Sequence, residues 1–175
     1  MTMKRSIITW GFIILLIGAC LSGFVTPTNA ETMKYKVYTY SAKTERVLIG
    51  DVEGHALALG VRRGMLAFEN GENGTEISVF INDTINMSGP LTQYTTTTFA
   101  DGSTIVTKVQ GTTTGTAVGT PTIGETTGEI IKGTGRFAGI KGTHNRSVKY
   151  LRPEKGEDAS KGIGEGIITY TLPSK

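Results

Sequence analysis

The chain has 175 residues, 18 Lys and Arg against 15 Asp and Glu, a formal net charge of +3, one cysteine and one tryptophan. Cys20, Trp10, Lys4 and Arg5 all fall within the first 30 residues, so residues 31–175 carry 16 basic and 15 acidic side chains, 21 of the 24 glycines, and no cysteine. Near-neutrality without clustered cations excludes a nucleic-acid binder. The missing thiol excludes a disulfide, a cysteine nucleophile or a Cys-ligated metal in that part of the chain.

The N-terminal 30 residues read as an export signal: Lys4 and Arg5 form a short positive region, an apolar run covers 7–19, and Thr28-Asn29-Ala30 ends on a small residue before Glu31. A retained anchor is the weaker reading, because Gly11, Gly18, Ser22, Gly23 and Pro27 dilute a stretch that would need about 20 mostly apolar residues to span. Ile17-Gly18-Ala19-Cys20 also resembles a bacterial lipobox. The expectation is therefore a periplasmic or secreted protein cleaved after Ala30. The alternative is a lipoprotein anchored to the membrane at Cys20. Residues 31–175 are expected to form one domain, a size at which a core is adequate without cross-links.

From residue 32 onward no window carries apolar residues at helical spacing, while short β-rich runs alternate with turn residues every 8 to 12 positions. Strands are expected at 34–40, 46–52, 55–61 and 65–68, punctuated by Gly50, Gly54, Gly60 and Gly64. Two Asn-Gly pairs, at Asn70 and Asn73, supply turn signals. In 75–81 Ile77, Val79 and Ile81 share one face and Ser78 and Phe80 the other, and a looser segment follows to Pro90. Runs at 91–99 and 103–110 flank Asp101-Gly102, the clearest hairpin signal, and Thr95 to Thr98 suit a strand rather than a helix. Residues 112–127, dense in Thr and Gly, read either as a bulged strand or as a long loop. Further strands are expected at 129–132, 141–151 and 164–172, with a polar excursion at 152–162. The total of eight to ten strands implies an all-β fold, a small antiparallel barrel whose closure removes exposed edges.

The most distinctive local feature is Gly133-x-Gly135-x-Phe137-x-Gly139-x-x-Gly142. A dinucleotide site would need a helix to open directly after such glycines, and 141–148 has glycine and β-branched residues there instead. The structural reading is that the glycines allow a corner in the sheet and Phe137 plugs the core beneath. This motif, with Phe68-Glu69-Asn70-Gly71, Phe99-Ala100-Asp101-Gly102-Ser103 and Gly128-Glu129-Ile130-Ile131-Lys132-Gly133, resembles the allene oxide cyclase and dirigent-protein barrel superfamily. Within it the chain looks like an exported bacterial member of unassigned role. The resemblance covers 34–172 and implies an eight-stranded antiparallel barrel, an oligomer, and a lumen able to take a lipid-derived or phenolic molecule. The cyclases place a glutamate on the first strand; residues 35–40 hold no acid, and Glu45 and Glu53 sit among turn residues, so the role is not carried over.

The function expected is that of an exported barrel binding an apolar small molecule or a partner protein. A cyclase- or isomerase-like enzyme and an envelope structural protein are the alternatives. Tyr35, Tyr38, Tyr40, Phe68, Phe80, Tyr94 and Phe99 are the apolar residues that could line a pocket. His55 could face the lumen as an acid or base, although a solvated strand-end histidine is preferred, and the same applies to His144. Glu129 is a lumen candidate whose bland reading is a surface ion pair with Arg136 or Lys132. Arg62 and Arg63 are expected in solvent. No catalytic set and no cofactor is assigned, and two histidines 89 positions apart give no metal-ligand spacing.

Overall fold

The computed structural model describes residues 30–115, 121–151 and 159–174. Residues 1–29, with the expected export signal and Cys20, the centre of the Thr- and Gly-rich stretch at 116–120, and the polar segment 152–158 lie outside the described residues. Eight strands follow in chain order: β1 (Glu31–Leu48), β2 (His55–Phe68), β3 (Asn73–Ile85), β4 (Gly89–Phe99), β5 (Thr104–Thr114), β6 (Thr122–Gly133), β7 (Lys141–Leu151) and β8 (Lys161–Thr171). Each pairs antiparallel with its successor, and β8 returns to β1 with Tyr35 opposite Gly166, closing the barrel. No sheet edge is left for another chain to extend along the closed part of the wall.

Gly60 and Gly64, expected as breaks between short strands, lie inside β2, and residues 34–40 run on through 46–48 as β1. The reason is packing across the ladder rather than turn chemistry. Gly60 pairs with Phe80, Gly166 with Tyr35 and Gly162 with Tyr150. A β-carbon on these glycines would stand 2.4 Å from the Phe80 ring, 2.3 Å from the Tyr35 hydroxyl and 2.9 Å from the Tyr150 ring. Each large inward side chain thus lies over a glycine on the neighbouring strand, which is how so narrow an interior holds aromatic rings.

The hairpin signals act where they were read in two of three cases. Gly71 and Gly102 have φ of 86° and 81° and bond back to the carbonyls of Phe68 and Phe99, each at 3.0 Å. The second Asn-Gly pair instead begins β3. Between β6 and β7 the glycine motif forms a single 3-10 turn, Gly135–Phe137, whose buried Phe137 ring stands 4.8 Å from Phe99 and 6.1 Å from Tyr170. With Phe68, 5.2 Å from Phe99 and 5.5 Å from Tyr35, these rings close this end of the barrel. The aromatic plug joins Leu66, Ile105, Ile140 and Ile168 in one cluster of buried residues.

The strand faces are inverted relative to the simplest hydrophobic pattern. Ile77, Val79 and Ile81 point outward, 50%, 44% and 53% exposed, while Glu76, Ser78 and Phe80 point inward. Among the described residues no helix is long and apolar enough to cross a membrane, which leaves spanning by strands untouched.

Candidate functional site: a polar interior beneath an arginine-floored mouth

Above the aromatic plug buried polar side chains enter the interior among apolar ones such as Leu91, Val109 and Val148. Glu76 on β3 and Arg146 on β7 sit four strands apart in a ring of eight, on opposite walls, and meet across the middle. The Arg146 guanidinium donates Nη1 to Glu76 Oε2 at 2.7 Å and Nη2 to Oε1 at 2.9 Å. Such a two-pronged pair neutralises both ions in a setting where either one alone would be heavily penalised, and leaves Arg146 Nε buried without a partner among the described residues. Burial works against the Arg146 charge, but Glu76 outweighs it and holds the guanidinium protonated.

Beside this pair Tyr35 and His144 form a second contact, hydroxyl to Nε2 at 2.5 Å. Burial, and then the nearby Arg146 charge, lower the His144 pKa to about 3, while burial raises that of Tyr35. The imidazole is therefore neutral and the hydroxyl protonated, so Tyr35 donates to Nε2 and the proton of His144 resides on Nδ1. Higher in the barrel Gln93 donates to Thr95 at 2.8 Å and to Ser78 at 3.3 Å.

Arg62 on β2 caps the polar layer. It is 7% exposed, with its Cζ 3.7 Å from the Phe80 ring centroid and 4.4 Å from that of Tyr150. Among the described residues its Nε and Nη1 have no hydrogen-bond partner. Arg62 lines a cavity of about 100 Å³ at the end of the barrel away from the plug, with Asn82, Thr84, Thr113, Thr122, Tyr150 and Ser160 supplying polar groups and Met87 and Leu151 apolar ones. Asn82 Oδ1 is likewise buried and unpartnered. Larger grooves, near 720 and 730 Å³, lie on the outer wall, the second between Tyr38, Tyr40, Met65 and Ile77.

The residues singled out in the sequence fall in four places. Phe80 is inward and stacks on Arg62, whereas Phe68 and Phe99 belong to the plug. Tyr94 and Glu129, read as lumen candidates, face outward, because the alternation on β4 and β6 turns Gln93, Thr95 and Ile130 inward instead. Arg136, expected beside Glu129, pairs with Glu72 at 2.7 Å and lies 3.7 Å from Asp101. His55 is half-buried on the outer side of the strand that turns Ala56 inward, and its ring bridges Asp51 at 2.6 Å and Asp83 at 2.8 Å. Those bonds, Asp83 first, raise its pKa. Gly133, Gly135, Gly139 and Gly142 all sit where a β-carbon would collide with neighbouring atoms, at 2.0 to 2.9 Å, and Phe137 fills the plug.

Two readings are corrected outright. Arg62 is inside the barrel, since the set containing Gly60, Arg62 and Gly64 is the inward one, and His144 is 2% exposed rather than in solvent. The inward set pairs glycines with long polar side chains, which is the only sequence signal that could have exposed Arg62, Glu76 and Arg146. Among the described residues no group of three or more His, Cys, Asp or Glu side chains could hold a metal ion.

No protein-family model matches the chain, and no curated protein matches it. Solved structures similar to it include two dirigent proteins. The pterocarpan synthase dirigent protein GePTS1 is 13% identical over 83% of this chain and 93% of that one, with a TM-score of 0.46. The pterocarpan synthase dirigent protein PsPTS1 is 14% identical over 83% and 99%, with a TM-score of 0.44. The chain itself is an all-β, closed, eight-stranded antiparallel barrel.

Proposed function

We propose that the chain is an exported small-molecule-binding barrel that holds its ligand by one polar end at the open mouth. The observation that carries this is the buried Arg62, unpartnered among the described residues, at the floor of a cavity with one further unsatisfied polar atom, Asn82 Oδ1. Buried donors in native proteins are nearly always paired, so a guanidinium left over at an opening points to a group supplied from outside. Pockets for whole drug-sized ligands run to roughly 300–1,000 Å³, so a cavity of about 100 Å³ takes a head group while the body rests on the rim near Met87 and Leu151. Export rests on the sequence of residues 1–30.

Native mass spectrometry of the protein purified from its own host tests both parts. A co-purifying small-molecule mass is expected, lost on mild denaturation, on a chain beginning at Glu31. A bare chain in every charge state would overturn the binding reading, and a lipid-modified chain beginning at Cys20 would replace cleavage after Ala30.

A second reading, partner binding, is favoured by the outer wall. Tyr38, Leu59, Met65, Ile77, Val79 and Ile81 expose apolar surface on adjacent strands, the kind of surface that protein interfaces use.

A further inference from the structure

We infer that the group bound over Arg62 is a carboxylate carrying a neighbouring hydroxyl or N–H donor, on a molecule with a single negative charge. The inference rests on the mouth-binding reading and names the ligand class for it. Three observations carry it.

First, charge. The buried ions of the described interior are Arg62, Arg146 and Glu76, and the carboxylate of Glu76 is fully engaged by Arg146. One positive charge is left over, at Arg62. The rings of Phe80 and Tyr150 lie within cation–π distance of it, and the guanidinium N–H groups, which lie in its plane, are the donors left for hydrogen bonding. A planar oxyanion in that plane matches the geometry of a guanidinium edge.

Second, stoichiometry. Among the described residues lining the cavity Arg62 is the only charged one. A phosphate monoester, at about −1.5 to −2 charge near neutral pH, would bring an excess negative charge into the site, whereas a carboxylate balances Arg62.

Third, the acceptor. Asn82 Oδ1 has no donor among the described residues, Thr84 and Thr122 offer hydroxyls that can turn either way, and the Thr113 hydroxyl already donates to the Gly89 carbonyl at 3.3 Å. A bare carboxylate satisfies Arg62 and leaves the Asn82 oxygen unpaired. A hydroxy- or amino-substituted carboxylate satisfies both.

Isothermal titration of the full-length protein with salicylate, benzoate, salicylamide and inorganic phosphate tests this. Salicylate is expected to bind most tightly, benzoate more weakly, and salicylamide and phosphate roughly tenfold or more weaker than salicylate, the factor expected for a lost charged hydrogen bond. Arg62→Met should abolish the preference for salicylate over salicylamide. Because Arg62→Met could in principle unfold the chain, Asn82→Ala is the second variant, expected to erase the difference between salicylate and benzoate. The Arg62 Nε–Hε resonance of the wild-type protein should also shift on titration with salicylate.

Equal affinity of salicylate for wild type and folded Arg62→Met would overturn the inference, as would tighter binding of phosphate. If salicylamide binds at the mouth and salicylate does not, the mouth reading stands and the carboxylate falls. If no probe binds at millimolar concentration the inference falls, and the mass of the host-purified complex still decides the mouth reading on its own.

Discussion

At the scale of single residues the interior is governed by charges that cannot reach water. Removing Glu76 strands Arg146 in the middle of the barrel, so Glu76→Ala should destabilise the fold by about 3–5 kcal/mol, the usual cost of breaking a buried pair. The double variant Glu76→Leu with Arg146→Met should recover most of that loss, which urea unfolding midpoints of the three proteins would show. His144 supplies a pH dependence. Its folded pKa, lowered to about 3, is below the ordinary value of 6.5, so the unfolded chain takes up the proton first. Stability contributed by the neutral ring is complete above about pH 6.5. It should fall by about 1.4 kcal/mol per pH unit as the pH drops from there toward 3. His144→Gln should flatten this part of the curve. An unchanged slope would mean that His144 is protonated in the folded barrel. None of these roles was legible from local sequence: Glu76, Arg146 and His144 lie among strand residues of ordinary appearance, and only the closure that puts β3 opposite β7 brings the ion pair together.

At the scale of the strands, the glycines and aromatics act as matched pairs. The β-carbon that alanine would place at position 166 meets the hydroxyl and ring carbons of Tyr35 at 2.3 to 2.8 Å. Gly166→Ala should therefore cost about 1–3 kcal/mol by overpacking. In a Tyr35→Leu background the same substitution should cost markedly less, and a double-mutant cycle on thermal unfolding would measure the coupling. The existence of the strands and two of the tight turns was legible, because alternation and Asn-Gly or Asp-Gly pairs are local properties. Strand lengths were not, because a glycine inside a strand and a glycine ending one look alike until the ring that covers it is known.

At the scale of the whole molecule the barrel is built inside out in part, polar within and apolar along much of β1 to β3 without. Ile77→Lys with Ile81→Lys should leave the unfolding midpoint within about 0.5 kcal/mol of wild type, since both side chains are half-exposed. If the outer wall is an interface, the same pair should reduce the mass measured by light scattering. A large loss of stability without a change of mass would argue that these residues serve the fold alone. The mouth and the outer wall are separate surfaces, so ligand binding at Arg62 should survive the double lysine variant. A joint loss would show that association shapes the mouth.

What the sequence determined by itself was the class of fold. Short alternating strands, hairpin pairs and the glycine motif are readable because each depends on neighbours within a few residues. Which face of each strand turned inward was decided only by the tertiary structure. Parity is set by register around the closed ring, and in this barrel the inward positions hold charged, hydroxyl and amide side chains alongside aliphatic and aromatic ones. That choice moved Arg62 from the surface to the floor of the mouth, turned Tyr94 and Glu129 outward, and converted the excess of glycine from a mark of turns into room for the rings that fill the interior.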